Sequence, residues 1–272
     1  MSNTKLFPGD PSDVMVIRQV TEDITTFSVP FSRFGLLKFG GRGTLIRLTT
    51  SNLAIFSPVA LTPAIHHLIT TTGTGKVSYI IAPDLEHHIY LSTWKTAFPD
   101  AKILAPEGLY EKRRADPTAY PDATPFEFIF TKENKHTLHI SDEFHADFEI
   151  EYVDGHTNRE IVLLDKRSGT LIEADLLFNL PATEQYSRLR EGAGDGVANR
   201  LFMPLVKLGG GEGGWQAWFM WWVLSKGDRE SFGDSVRRIA EWEFERVVPC
   251  HGDVVEGKGK EVFRGVFGRF WG

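Results

Sequence analysis

The chain has 272 residues, 42% of them apolar and 24% charged, with a formal net charge of −6. That is enough apolar material for a sizeable core in one large domain or two small ones, while the acidic balance argues against a nucleic-acid backbone as partner. No apolar run approaches the roughly 20 residues that span a bilayer, and a single cysteine with a polar N-terminus points away from a disulfide framework and toward a reducing, cytoplasmic setting.

The first seventy residues predict β-hairpins: "TLIRL" (44–48) and "LAIFS" (53–57) have strand composition and are joined by the turn former "TTSN". In "LTPAIHHLIT", Thr62 is placed to cap a helix that opens at Pro63, where a missing N–H costs nothing. "VSYIIAP" (77–83) reads as a buried parallel strand, "HIYLSTWKTAF" as a helix stopped by Pro99, and "AKILAP" (101–106) as a second buried strand. Strand, helix and strand in that order make a βαβ unit.

The middle of the chain returns to strands. "DFEIEYV" (147–153) alternates acidic and apolar residues, and "EIVLLD" and "TLIEADLLF" flank the hairpin turn "KRSG". Residues 182–214 lack strong periodicity and contain "LGGGEGG" (208–214), which predicts a mobile loop or lid, or an inserted helix pair. "WQAWFMWWVLS" (215–225) reads first as a buried helix, second as a substrate-pocket wall formed by Trp215, Trp218 and Trp222, and last as a membrane-surface anchor. A helix is predicted over 234–245, then a short strand "RVVPC", then an apolar stripe of Val262, Phe263, Val266, Phe267 and Phe270. With no repeat and no compelling linker, one domain over 1–272 is expected.

The ionisable residues follow a positional rule. "APDLEHHIYL" (82–91) puts Asp84, Glu86, His87 and His88 into five positions at the mouth of a strand. Among nine histidines, His87, His156 and His251 each follow a predicted strand directly, and Asp175 ends "TLIEA" in the same way. In sheets flanked by helices, strand ends aim loop residues into a common crevice. Neutral imidazoles and carboxylates bind Zn²⁺, Mn²⁺ or Fe²⁺. Such a cation lowers the pKa of bound water from about 16 to about 7, and a neighbouring carboxylate then serves as general base. The chain has no G-x-S-x-G elbow, no G-x-x-x-x-G-K-[ST] loop and no C-x-x-C pair.

Four segments, "APDLEH" (82–87), "DGHT" (154–157), "EADLLF" (173–178) and "VPCHGD" (248–253), resemble in order and spacing the motifs of the metallo-β-lactamase-fold hydrolases. The resemblance runs over roughly residues 15 to 271 and implies an αββα sandwich, two mixed sheets with helices outside. The H-x-H-x-D-H hallmark is degenerate: Ala82, Asp84 and Glu86 replace its first His, second His and Asp, and His87 keeps its last His. By the resemblance, the first metal set becomes Asp84, His156 and Asp175, one ligand short. The second becomes Glu86, His87, Asp175 and His251, complete in type.

The expected assembly is therefore one divalent ion, zinc with manganese or iron as alternatives, shared by His87, Asp175 and His251, with Glu86 or His156 completing the shell. Asp84, Asp175 and His156 are the expected catalytic groups, and His88, counted with the substrate pocket, is either a surface residue of the helix's first turn or a substitute ligand for the missing first histidine. Asp253 is placed to hold the second nitrogen of a ligand histidine. The expected reaction is hydrolysis of a small-molecule ester, lactone or thioester. A lyase, isomerase or cyclase of secondary metabolism is the rival enzyme, and a metal-free binding protein the rival from another class.

Overall fold

The computed structural model describes residues 6–120, 126–209 and 214–271. A short helix α1 (Pro11–Val14) leads into strands β1 (Val16–Gln19) and β2 (Ile24–Val29), the small hairpin β3 (Ser32–Arg33) and β4 (Leu37–Lys38), then β5 (Gly41–Arg47) and β6 (Leu53–Phe56). Helix α2 (Pro63–Thr71) crosses to β7 (Val77–Ile81), α3 (Leu91–Ala97) to β8 (Lys102–Pro106), and α4 (Leu109–Arg114) to β9 (Phe128–Phe130). The seven larger strands form one sheet in the order β1-β2-β5-β6-β7-β8-β9. It is antiparallel as far as β6 and parallel from β6 to β9. Thr62 caps α2 by accepting from the Ile65 amide, with Pro63 at the first helical position.

Helix α5 (Asp142–Asp147) then opens the second sheet, β10 (Phe148–Val153), β11 (Glu160–Asp165), β12 (Thr170–Glu173) and β13 (Arg246–Pro249), in that order. Between β12 and β13 run α6 (Val197–Val206), α7 (Trp215–Phe219), which continues as a π-helical turn over Met220–Leu224, and α8 (Arg229–Ile239). Helix α9 (Gly259–Val266) closes the chain. Helix α8 starts and ends earlier than its apolar spacing predicts, because Asp228 accepts from the Ser231 amide and fixes the start. Residues 210–213, inside the stretch read as a lid, lie outside the described residues.

Alternation along the strands sorts the core into three layers. Tyr79, Ile81, Phe56 and Leu104 of the first sheet meet Ile161, Leu163, Ile172 and Val248 of the second. Their strand neighbours Ile55, Ile80 and Ile103 pack outward against Ile65, Leu91, Trp94 and Leu109 of α2, α3 and α4. Val162, Leu164, Leu171 and Val247 pack the other way, against Val206, Val236, Ile239 and Phe263 of the later helices. The central strands β6, β7, β11, β12 and most of β8 and β13 thus bury both faces, which demands a helix layer on each outer side. No described helix is long and apolar enough to cross a membrane.

One buried charge ties the sheets together. Arg42 of β5 is shut away from solvent and donates to the Pro249 carbonyl of β13 (2.6 Å), to Ser28 Oγ (3.0 Å) and to Glu184 (3.3 Å). Replacing it by Ala strands a buried carbonyl and leaves Glu184 with Ser28 Oγ and with Arg18 as its one ion-pair partner among the described residues. Arg42→Ala is expected to lower unfolding free energy by on the order of 3 kcal/mol in urea titrations.

Candidate metal centre

The loop after β7 is built by one carboxylate. Asp84 Oδ1 accepts from the backbone amides of Glu86 (2.7 Å) and His87 (2.8 Å), closing a tight turn. Its Oδ2 lies 2.8 Å from His87 Nδ1. An ionised carboxylate only accepts, so Nδ1 carries the proton and Nε2 of the neutral ring presents its lone pair. His251, beyond β13, is held in the same sense: its Nδ1 donates to the Gly40 carbonyl at 2.7 Å. Gly40 has a φ of 71°, and a Cβ there would overlap the Gln185 amide, so only glycine brings this carbonyl to the ring. Gln185 is itself buried, donating to the Cys250 carbonyl and accepting from the Gly252 amide.

The consequence is an arrangement of like atoms. His87 Nε2 and His251 Nε2 stand 3.1 Å apart, and Asp175 Oδ1 lies 3.1 Å from His251 Nε2. Ligand atoms of His87, Asp175 and His251 all fall within 4.8 Å of one another. Two facing lone pairs beside a carboxylate call for positive charge between them, a proton or a metal ion. Burial opposes charge on His87, but Asp84 and then Asp175 outweigh it and raise the ring from its ordinary 6.5 to about 9. Asp175 is pulled well below the carboxylate range: burial works upward, and the approach of His251 at 3.1 Å and the charge of His87 override it. Three rings, Phe31, Phe39 and Phe178, surround His251, with Phe178 stacked at 5.8 Å.

Beneath the cluster lies a layer that the sequence did not disclose. Glu160 accepts from the amides of Ala174 (2.7 Å) and Asp175 (2.9 Å), and Glu173 accepts from Leu177 (3.0 Å), so two buried acids shape the turn that carries Asp175. Burial, with each acid's charged neighbours, pushes both carboxyl groups well above the usual range. Asn158 donates to Asp175 Oδ2 at 2.6 Å, leaving Oδ1 turned to the histidines. Its place two residues after His156 is the one signal that sequence could have supplied.

The other expected site residues lie as follows. Glu86 faces outward, paired with Lys112 (2.8 Å) and Arg33 (3.6 Å), because the turn made by Asp84 points it away from the cluster. Asp84 spends its oxygens on the turn amides and on His87. His156 is buried, but its Nδ1 accepts from the Asn158 amide (3.2 Å), so the neutral ring carries its proton on Nε2. That atom has no partner among the described residues and offers a donor where a ligand needs a lone pair. Asp253 binds Thr183 and Glu184 and leaves His251 to Gly40. His88 is buried: Arg113 donates to its Nδ1 (3.1 Å), and burial followed by the Arg113 charge lowers it to about 4.

Two cavities meet at the cluster. One, about 290 Å³, is lined by Phe7, Phe31, Val59 and Tyr90 with His87, His88 and His251. The other, about 300 Å³, is lined by Phe39, Phe178, Phe202 and Phe219 with Asp175 and His251. Arg33 and Phe34 line both. Trp215, Trp218 and Trp222 line neither and are exposed. Helix α7 instead buries Gln216 and Ala217, Gln216 donating to the Phe178 and Val206 carbonyls and accepting from the Phe178 amide, which turns the indoles outward.

Comparison with known proteins fits this geometry. The family model described as a domain of unknown function (DUF4336) matches residues 37–188, more than half of the chain. The chain belongs to the DUF4336 family. The matched stretch of this DUF4336 chain contains Asp84, His87, His156 and Asp175, and His251 lies beyond it. No curated protein matches. Among solved structures, DIM-1 metallo-β-lactamase is similar at 14% identity over 93% of this chain and 95% of its own, with a TM-score of 0.56. A metallo-β-lactamase from Pontibacter korlensis is similar at 10% identity over 94% and 98%, TM-score 0.56. The Flv1 flavodiiron core from Synechocystis is similar at 14% identity, TM-score 0.58, over 94% of this chain and 60% of that one. The DUF4336 chain thus has the metallo-β-lactamase fold.

Two outcomes follow for the histidines. Asp84→Asn keeps an acceptor for the turn and loses the charge behind His87, so metal affinity is expected to fall about 10- to 100-fold in chelator competition, with circular dichroism unchanged. In chelator-treated protein the raised His87 contributes stability that is complete below pH 6.5 and is lost as pH rises through about 9. Its melting temperature should therefore decline across that window, and saturation with a divalent ion should remove the decline.

Proposed function

We propose that the chain is a metal-dependent hydrolase of a small-molecule ester, lactone or thioester, using a single divalent ion held by His87 Nε2, His251 Nε2 and Asp175 Oδ1. The observation that carries this reading is the 3.1 Å approach of two imidazole lone pairs beside Asp175 Oδ1, a donor set suited to zinc. Three protein ligands with an open position is the pattern of catalytic rather than structural zinc. Manganese and iron accept the same donors. Bound there, the ion would supply Lewis acidity and an acidified water.

The remaining roles belong to the chain. Asp84 and Gly40 fix both rings in the ligating tautomer, and Asn158 holds Asp175 so that one oxygen serves the cluster. The two aromatic-lined cavities fit the apolar part of an acyl substrate, while Arg33, which lines both, is placed to meet a carbonyl or carboxylate. His88, with Nδ1 accepting from Arg113, keeps its proton on Nε2 and lends the first cavity a neutral donor. His156 would act from its buried Nε2–H beside Asp175, as a donor.

Metal analysis of protein purified without chelators is expected to find about one ion per chain, by the three-ligand count. Asp175→Ala should abolish it, since the variant removes the only carboxylate of the set. Turnover of an ester, lactone or thioester panel should be lost in the same variant. Wild-type protein that stays metal-free when supplied with Zn²⁺, Mn²⁺ and Fe²⁺ would replace this reading with a metal-free binding protein.

A further inference from the structure

The two cavities at the cluster divide its three donors between them. His87 lines only the first, Asp175 only the second, and His251 lines both, as do Phe31, Arg33 and Phe34. The shared residues form a partition, in which the Phe31 and His251 rings stack at 6.2 Å. The gap between the histidine nitrogens therefore borders both spaces. Their volumes are matched, about 290 Å³ and about 300 Å³. Each stands at the bottom of the roughly 300–1,000 Å³ that houses a whole small ligand. Each has room for one arm of a molecule rather than for all of it.

The walls decide the kind of arm. Phe7, Val29, Val59 and Ile89 line the first cavity, and Leu37, Phe39, Phe202 and Phe219 the second. The polar side chains among them are largely engaged within the protein. Arg42 donates to Ser28, Glu184 and the Pro249 carbonyl, and Glu86 pairs with Lys112 and Arg33. Thr157 donates to the Val223 and Leu224 carbonyls, and Asn158 donates to Asp175. A polar ligand would have to break such bonds to gain its own, whereas an apolar group gains by leaving water.

We propose that the substrate is an open-chain ester or thioester with an apolar group on each side of the carboxyl, one arm in each cavity. The inference rests on the hydrolase reading and narrows it. A small lactone ties the two sides of its carboxyl group into one ring and cannot straddle the partition. In the reaction, water adds across the acyl C–O or C–S bond. The acyl carbon takes the hydroxyl oxygen, the departing oxygen or sulfur takes a proton, and no other reactant is needed. Each product is left in its own cavity.

Isomers separate the number of arms from hydrophobicity. Pentyl pentanoate, methyl nonanoate and octyl acetate share one formula and differ only in where the carboxyl group sits. Metal-loaded protein should hydrolyse the first with kcat/KM at least about tenfold above the other two. Calorimetry on chelator-treated protein reads the same preference without turnover: dipentyl ketone should bind at least about tenfold tighter than its isomer methyl nonyl ketone. Ile89→Trp narrows the first cavity from an exposed position and Leu37→Trp the second from a half-buried one. They should shorten the preferred chain on opposite sides of the carboxyl group. Should either fail to fold by circular dichroism, Phe7→Ala and Phe202→Ala, which widen the same cavities, should lengthen it instead. A preference for methyl nonanoate or octyl acetate, equal binding of the two ketones, or two variants acting on the same side overturns the two-armed substrate. Protein that hydrolyses no ester but prefers dipentyl ketone supports two arms and overturns the hydrolase reading instead.

Discussion

Two imidazole nitrogens held 3.1 Å apart with both lone pairs inward form a contact that is unfavourable without a cation, and much of the surrounding structure serves to maintain it. Asp84 forces one tautomer and the Gly40 carbonyl forces the other. The two rings arrive from different sheets, His87 from the end of β7 and His251 from the end of β13, with Asp175 from the end of β12. The repulsion is therefore lodged at the seam of the sandwich, where the inter-sheet core and the Arg42 bond to the Pro249 carbonyl resist its relief by simple separation. Whatever positive charge occupies the gap also fastens one sheet to the other.

The same seam explains the buried acids. A turn that aims a carboxylate must itself be rigid, and the backbone amides of residues 174, 175 and 177 are out of reach of water. Glu160 and Glu173 satisfy those amides from within the sheet. Their own burial favours the protonated form and would be costly in isolation, but an acid that accepts amide hydrogens in place of water gives back part of that cost. The site is thus stiffened by groups that never approach a ligand, an arrangement expected wherever a few ångströms decide whether three donors converge.

Much of this was legible in the chain, for identifiable reasons. Thr62 and Pro63 and the β-branched run 77–81 are local signals, and local signals survive folding. The strand-end rule selected His87, Asp175 and His251 because it uses only order along the chain. It also selected His156, and there a tautomer fixed by the backbone two residues on intervened, which no pattern of residue types encodes. Motif position put Asp84 in one metal set and Glu86 in the other; in the structure Asp84 caps the turn and faces His87, while Glu86 pairs with Lys112 and Arg33. The tryptophans misled in the opposite sense. Their composition argues burial, but the inner face of α7 is claimed by Gln216, whose amide satisfies backbone groups of neighbouring segments. Glu151 makes the same point within β10: it sits in the alternation as a wet residue, and the structure buries it against Ser235.

The close passage of Gly40 over Gln185 has a consequence for how this architecture can vary. The glycine has no side chain because the glutamine amide fills that space, and the glutamine is long because it must reach the Cys250 carbonyl and the Gly252 amide on the far side. Neither position can change alone without closing off one loop or letting go of the other. Chains that descend from a common ancestor with this one should therefore alter the two positions together or not at all. Paired substitution at 40 and 185 would mark, in an alignment, the lineages in which the histidine at 251 has been given a different support.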